Sequence, residues 1–139
     1  MVFKIDFPVT EHPLFTSMVK DLALLSQIGF RVVIVPGAKE WIDSVLGEYG
    51  ISTIYKDSMR VTSAKAIPFV QMAAFHSATR FITAFSGSRV DAVIGNFVRA
   101  RGMGVIDGVD MEHTGAVDKF YVDSLSRVID LGMIPYSPV

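Results

Sequence analysis

Apolar and polar positions alternate along the first third of the chain in a way that predicts strands and helices by turns. Val2–Asp6 is a short apolar run that predicts an opening strand. In Leu14–Ile28 the apolar residues recur three and four positions apart, which predicts an amphipathic helix. Arg31–Val35 is an almost unbroken β-branched run, typical of a strand buried on both faces of a parallel sheet. Ala38–Leu46 predicts a second helix, so the order of elements indicates an α/β fold.

The middle of the chain contains its most apolar segment. Ile51–Val61 alternates in character and predicts a hairpin. Thr62 and Ser63 are candidate caps for a long helix that ends near Phe85, and Pro68 predicts a kink or a late start. A helix that is apolar all round is buried either in its own domain or against a partner. The apolar positions of this segment leave almost no polar face: Ile67, Phe69, Val70, Met72, Ala73, Ala74, Phe75, Phe81, Ile82 and Phe85.

The last third predicts further strands and one helix. Val90–Val98 predicts a strand, and Gly104–Val117 predicts short strands and turns. Val122–Leu131 predicts a short helix, after which the stretch from Ile134 begins like a strand. No internal repeat or low-complexity tract interrupts the chain, so one domain over residues 1–139 is expected.

Composition excludes several classes of function. With 13 basic against 14 acidic residues and no basic block, generic nucleic-acid binding is not expected. The absence of cysteine excludes disulfides, thiolate metal sites and a cysteine nucleophile. No apolar run reaches the roughly 20 residues of a membrane span, and the first ten residues lack the order of a signal peptide. These features predict a soluble, cytoplasmic protein.

Two groups of polar residues are weak candidates for chemistry. The stretch from Asp107 to His113 contains carboxylates and a histidine that could ligate a metal, but its spacing matches no standard calcium loop. Solvated turn residues are the favoured interpretation there, so no metal is predicted. His76, on the long apolar helix, is predicted to be a hydrogen-bonded core or interface histidine. No complete dinucleotide or nucleophile motif is present, so no cofactor is predicted.

Two features are stronger candidates for a binding site. Gly37 and Ala38 follow a buried strand and precede a helix, where ligands of open α/β sheets bind and where exposed N–H groups favour an anion. Many such turns bind nothing. Arg60 lies just before the long helix, where it either clamps a carboxylate or is an ordinary surface arginine. Chemistry alone does not choose between those two interpretations.

Several sequence blocks resemble the amino-acid kinase family and, within it, the kinase-like domain of bacterial N-acetylglutamate synthases. Together they cover nearly the whole chain and are more specific than any one motif. The blocks that carry the resemblance are Leu24–Ala38, Trp41–Asp43, Met59–Thr62, Gly95–Val98, Gly104–Asp110, His113–Gly115 and Leu131–Pro135.

The resemblance implies a fold and a set of site residues. The fold is a three-layer α/β/α sandwich with a mainly parallel sheet, corresponding to the first, carbamate kinase-like lobe, with the chain ending before the nucleotide-binding lobe. In the family, the first lobe binds the acylated amino acid. By resemblance, Gly37 and Ala38 match the turn whose N–H groups receive a substrate carboxylate. Arg60 matches the arginine that pairs with a carboxylate of N-acetylglutamate.

The departures from the family bear on activity. Family kinases carry a lysine and two glycines after the first strand, whereas Lys4–Val9 contains no glycine. No catalytic residue is therefore assigned, and the chain is expected to be inactive alone. The expected function is that of an N-acetylglutamate synthase-like domain of arginine biosynthesis that binds an acylated or free amino acid. The alternative is a non-catalytic, self-associating structural or regulatory remnant, and homo-oligomers are expected through the helix near 63–86.

Overall fold

The computed structural model describes residues 1–137, so residues 138 and 139 of the final predicted strand lie outside the described residues. The elements in chain order are β1 (Val2–Asp6), α1 (Phe7–Glu11), α2 (Phe15–Gln27), β2 (Val33–Gly37), α3 (Lys39–Glu48), β3 (Ile54–Lys56), β4 (Met59–Val61), α4 (Ile67–Phe85), β5 (Ala92–Ile94), β6 (Val98–Gly102), β7 (Val105–Ile106), β8 (Val109–Asp110), β9 (Gly115–Phe120), α5 (Val122–Asp130) and β10 (Ile134–Tyr136).

A four-stranded parallel sheet forms the centre of the molecule. Its strand order is β1-β2-β10-β5, and every neighbouring pair is parallel. The register places Asp6 beside Gly37, so β1 and β2 end at the same edge. Three antiparallel pairs, β3-β4, β6-β9 and β7-β8, lie outside this sheet. The predicted mainly parallel sheet is confirmed.

Helices α2 and α4 cover one face of the sheet. Phe81 of α4 packs edge-on against Phe15 of α2, with ring centroids 5.1 Å apart, and against Tyr136 of β10 at 5.2 Å. The Tyr136 hydroxyl donates a hydrogen bond to Ser77 Oγ at 3.0 Å, which satisfies a buried polar pair. The main core comprises Ile5, Phe15, Val19, Leu22, Ala23, Val32, Ile34, Ala78, Phe81, Phe85, Val90, Ile134 and Tyr136.

The other face of the sheet is covered by α5 and the β6-β9 ribbon. Val33 and Val35 of β2 point away from the main core because side chains alternate along a strand. They line an apolar cavity of about 220 Å³ together with Phe97, Phe120 and Leu125. The sheet therefore lies between two layers, as the predicted sandwich requires.

The long helix starts later than its candidate caps. Helix α4 begins at Ile67 with Pro68 in its first turn, a position where the missing N–H of proline costs nothing. The backbone carbonyl of Ser63 accepts N–H groups from Ala66 and Ile67, while no side chain caps the helix. The predicted late start is correct, and the predicted side-chain cap at Thr62 or Ser63 is wrong.

Helix α4 is buried on one face only. Ala73, Ser77, Ala78, Phe81 and Phe85 are buried on one face, whereas the side chains on the opposite face are open to solvent: Met72 is 48% exposed and Phe75 is 68% exposed. No helix of the described residues is long and apolar enough to cross a membrane.

Two local predictions differ from the structure. The predicted strand Val90–Val98 divides, because β5 ends at Ile94 and β6 pairs antiparallel with β9. At the division, Phe97 folds back over Gly95, where an added Cβ would lie 2.4 Å from the Phe97 ring. The short helix α1, directly after β1, was not predicted.

Candidate functional site

A cavity of about 310 Å³ opens at the carboxyl end of β2. It lies between the start of α3, the β3-β4 hairpin and the middle of α4. This is the position at which open α/β sheets bind ligands. The lining residues are Pro36, Ala38, Lys39, Ile42, Tyr55, Ser58, Arg60, Val70, Ala74 and Ser77.

The structure brings together two of the three predicted site residues in the cavity wall. Ala38 and Arg60 both line the cavity, although they lie on different elements. Gly37 is the last residue of β2 and lies beside Asp6 of β1. A Cβ at Gly37 would lie 1.9 Å from Asp6 Oδ1 and 3.2 Å from Asp6 Cα, so a larger residue there would force the Asp6 side chain and the strand end to shift.

The amino end of α3 faces the cavity. Ala38 precedes the helix, its carbonyl accepts the N–H of Ile42, and no side chain caps this end. The first N–H groups of a helix have no acceptor within the helix, and they carry the positive end of its dipole. Ala38 and Lys39 both line the cavity, so this end of the helix favours an anionic group.

Arg60 is a nearly buried arginine whose contacts converge on one nitrogen. Its side chain is 11% exposed. Nη2 donates to Asp43 Oδ1 at 2.7 Å, to the Tyr55 hydroxyl at 2.8 Å and to the Lys39 carbonyl at 3.3 Å. Nε is buried without an acceptor among the described residues. A buried donor without an acceptor costs free energy.

The hairpin explains why Tyr55 and Arg60 meet. They are opposite each other in the β3-β4 register, so their side chains share a face of the ribbon. The hairpin turn carries Asp57 and Ser58 with φ of 49° and 65°, the left-handed region that tight hairpin turns use. Thr114 Oγ1 donates to the Arg60 carbonyl at 2.5 Å and fixes the backbone as well.

The charges at the cavity are unequal. Its lining includes the cations of Lys39 and Arg60, and no carboxylate. The Asp43 carboxylate lies behind the wall, bonded to Arg60 and to the Tyr55 hydroxyl at 2.7 Å. Burial is the main cause that raises the pKa of Tyr55 above 10.0, and its hydrogen bond from Arg60 acts in the opposite direction. The arrangement suits a ligand with a carboxylate.

The carboxyl end of β1 is closed by side chains. Helix α1 follows β1 without a glycine turn, and the Phe7 ring stacks on Trp41 with centroids 4.8 Å apart. Trp41 in turn stacks on His76 at 5.3 Å. His76 is exposed in the single chain, so of the two predicted alternatives the core histidine is wrong and the interface histidine stays a prediction; the stack of rings holds its imidazole at the surface.

The acidic stretch near Asp107 forms an exposed hairpin. Asp107 and Gly108 make the turn between β7 and β8, and the Asp107 carboxylate lies 3.4 Å from Lys56 Nζ. Asp110 Oδ1 accepts the N–H of Glu112 at 2.9 Å. In the part of the chain that the structure describes, no group of three His, Asp or Glu side chains is placed to hold a metal.

Sequence reasoning missed Lys39, Asp43 and Tyr55 as site residues. Lys39 and Asp43 lie one turn apart on α3, a spacing that places side chains on one face. That spacing was the available signal for Asp43. The signal for Tyr55 was the hairpin itself, since a two-residue turn at Asp57 and Ser58 sets Tyr55 opposite Arg60.

Comparison with known sequences finds amino-acid acetyltransferases among the relatives. No family model matches the chain. The amino-acid acetyltransferase of Salmonella typhimurium is 37% identical over 133 residues, which are 89% of this chain and 30% of that protein. The enzyme of the same name from Escherichia coli K12 is 35% identical over the same shares. The chain therefore spans about a third of the length of the curated relatives that it matches.

Solved structures give the same result. N-acetylglutamate synthase from Neisseria gonorrhoeae, complexed with coenzyme A and L-arginine, matches 99% of this chain with a TM-score of 0.90 and 34% identity, over 34% of its own length. The complex with coenzyme A and N-acetyl-glutamate matches at 0.90 with 36% identity, over 32% of its length. An isopentenyl phosphate kinase at 21% identity and a TM-score of 0.52 supports the fold alone. The chain thus has the amino-acid kinase fold, and its sequence and structure are similar to those of the kinase-like domain of N-acetylglutamate synthases.

Proposed function

We propose that this chain is an amino-acid-binding domain of arginine biosynthesis, located in the cytoplasm, that binds an acylated or free amino acid beside Arg60. One observation carries the proposal. Ala38 and Arg60, which the sequence separately marks as carboxylate partners, line the same cavity at the carboxyl end of β2. Similar solved synthases were crystallised with L-arginine and with N-acetyl-glutamate, and both ligands contain an amino-acid carboxylate.

The cavity wall accounts for each part of such a ligand. A carboxylate would accept hydrogen bonds from the Arg60 guanidinium and from the first N–H groups of α3. The aliphatic part would contact Ile42, Val70 and Ala74, which form the apolar side of the cavity. Residues Gly37 and Ala38 act through their backbone, and Gly37 also allows the ends of β1 and β2 to approach each other closely.

Calorimetric titration with N-acetylglutamate, glutamate and arginine tests the proposal. We expect at least one of them to bind, and Arg60→Ala to weaken that ligand by about 1.5–3 kcal/mol, the scale of a charged hydrogen-bonding partner. Arg99→Ala is the matched control, because Arg99 pairs with Asp118 on the β6-β9 ribbon. Equal affinity in Arg60→Ala and wild type, or no binding of any of the three, would overturn the proposal.

The same proposal includes catalytic inactivity of the chain alone. The resemblance places the phosphate-binding glycines of the kinases after the first strand, where this chain has Asp6, Phe7 and the helix α1. Phe7 and Trp41 fill that position with stacked rings. Assays with ATP and N-acetylglutamate, and with acetyl-CoA and glutamate, should give no product. Turnover of about 1 per second or more would contradict this expectation.

Self-association is the second candidate function, and the exposed face of α4 favours it. Met72 and Phe75 are one turn apart on this face and are 48% and 68% exposed. Exposed apolar side chains in a group mark interaction surfaces, and two-fold dimers are the commonest assemblies. We expect sedimentation of a dimer or larger assembly that Phe75→Glu dissociates and Leu131→Glu, a change of an exposed leucine after α5, does not. A wild-type monomer of 15.2 kDa at micromolar concentration would exclude it.

A further inference from the structure

The Arg60 guanidinium is hydrogen-bonded through Nη2 to Asp43 and Tyr55, and these bonds restrict its orientation before a ligand binds. We propose that Tyr55 and Asp43 are positioning residues of the site, which fix the Arg60 guanidinium in the cavity wall, where it would meet the ligand carboxylate. The inference rests on the proposed function, because it assumes that the cavity beside Arg60 takes a carboxylate. Neither residue needs to touch the ligand for its role.

The contacts form a closed set around one nitrogen. Arg60 Nη2 donates to Asp43 Oδ1 at 2.7 Å and to the Tyr55 hydroxyl at 2.8 Å. The Tyr55 hydroxyl donates a hydrogen bond to Asp43 Oδ1 at 2.7 Å, so each of the three groups bonds to the other two. Networks of this kind strengthen one another in partly buried surroundings. The guanidinium carbon also lies 5.6 Å from the centre of the Tyr55 ring.

The placement of Asp43 distinguishes positioning from competition. Arg60 and Tyr55 are among the residues that line the cavity, and Asp43 is not. The acid therefore binds the guanidinium from the side of α3, while Nε remains buried and without an acceptor among the described residues. A carboxylate that competed with the ligand would be expected on the cavity side and on the free nitrogen.

Fixing the Arg60 side chain in advance raises affinity because the ligand then does not have to restrict the side-chain rotamers when it binds. An arginine side chain has many rotamers, and a ligand that must order them binds more weakly. Here the hydrogen bonds to Tyr55 and Asp43 order Arg60 when the chain folds. Loss of either partner should leave Arg60 present and charged but mobile.

The test is calorimetric titration of N-acetylglutamate into variants of the whole chain. Tyr55→Phe keeps the ring and all charges, and we expect it to weaken binding about tenfold, which corresponds to about 1.4 kcal/mol. Tyr49→Phe is the matched control, because Tyr49 is exposed and packs against Phe69 outside the cavity. Asp43→Ala should weaken binding, and Asp43→Asn, which retains an acceptor oxygen, should restore most of the affinity.

Each alternative gives a different result. Tighter binding by both Asp43→Ala and Asp43→Asn would show that Asp43 competes with the ligand. Unchanged binding by Tyr55→Phe would show that Arg60 does not depend on the Tyr55 hydroxyl. Either result overturns the inference. If wild type binds N-acetylglutamate and Arg60→Ala does not, these failures leave the proposed function standing. If wild type binds none, the proposed function fails and the inference with it. Exchange of the Arg60 Nε proton, expected to quicken in Tyr55→Phe without ligand, provides an independent readout.

Discussion

Strands β1 and β2 end side by side, yet their carboxyl ends are built differently. Asp6 and Gly37 are register partners, and a helix follows each strand. After β2 the small residues Gly37 and Ala38 leave a cavity of about 310 Å³. After β1 the Phe7 ring stacks directly on Trp41 at 4.8 Å. The comparison teaches that the first side chains after a strand, rather than the topology, decide whether its end is open to a ligand.

The two ends also differ in charge. The end of β2 presents Lys39, Arg60 and the amino end of α3 to the cavity. The end of β1 presents the carboxylate of Asp6, whose partner Lys4 Nζ lies 3.1 Å away on an exposed side chain. Because exposed ion pairs are weak and screened by salt, Lys4 does not turn this end into an anion site. An amino-acid carboxylate is therefore expected at the end of β2 rather than at the end of β1.

The largest expected effect comes from opening the closed end. Trp41→Ala removes the central ring between Phe7 and His76. We expect it to lower the free energy of unfolding by about 2–3 kcal/mol, less than the 3–5 kcal/mol of a fully buried tryptophan because Trp41 is half-buried. Urea denaturation followed by circular dichroism measures it. Trp41→Phe should recover most of the loss, and a cost below about 1 kcal/mol for Trp41→Ala would show that the stack does not close this end.

A smaller effect is expected from making the two strand ends collide. Gly37→Ala places a Cβ 1.9 Å from Asp6 Oδ1, so the side chain and backbone must shift. We expect a destabilisation of about 1–3 kcal/mol, typical of overpacking. Gly47→Ala, in open space on α3, should be stabilising by about 0.5–1 kcal/mol. Combining Gly37→Ala with Asp6→Ala should recover part of the loss; no recovery would place the strain elsewhere.

The smallest expected effect is on the pH dependence of stability, through two tyrosines. Burial raises the pKa of Tyr55 above 10.0, so the folded chain retains this proton at a pH where the unfolded chain releases it. The resulting stability is present below about pH 10 and is lost as the pH rises through the folded pKa. Tyr136 has a pKa raised by burial as well, at the end of β10. In thermal melts from pH 9 upward, Tyr55→Phe and Tyr136→Phe should each make the loss of stability with pH shallower than in wild type.

The periodic part of the fold could be predicted because its signals are local. Helix α2 and strand β2 lie within two residues of the ranges that the apolar pattern indicated. Helix α1 has five residues, too few for a helical period, and Pro8 gave the signal of a break although proline is accepted in a first turn. The division of Val90–Val98 depends on Phe97 packing over Gly95, a contact that the β-branched pattern does not encode.

Part of the candidate site could be predicted because its signals are also local in the sequence. Ala38 and Arg60 were singled out by turn chemistry and by charge, and they do share a cavity. The partners of Arg60 were not, because Asp43 reaches it only when α3 packs beside the β3-β4 hairpin. His76 is not a core residue, because the apolar pattern of α4 does not show which face packs against the sheet. One face of that helix is open, and only the tertiary packing decides which.

The most direct test of the central claim is a ¹⁵N–¹H NMR titration of the whole chain with N-acetylglutamate, observing backbone amides and arginine Nε–H groups together. If the carboxylate binds at the end of β2, the NMR signals of the Arg60 Nε–H and the Lys39 amide change their chemical shifts together and saturate at one ligand concentration. The chemical shifts of the Asp6 and Phe7 amides remain unchanged. Saturating shifts at Asp6 and Phe7 with none at Arg60 would contradict the account.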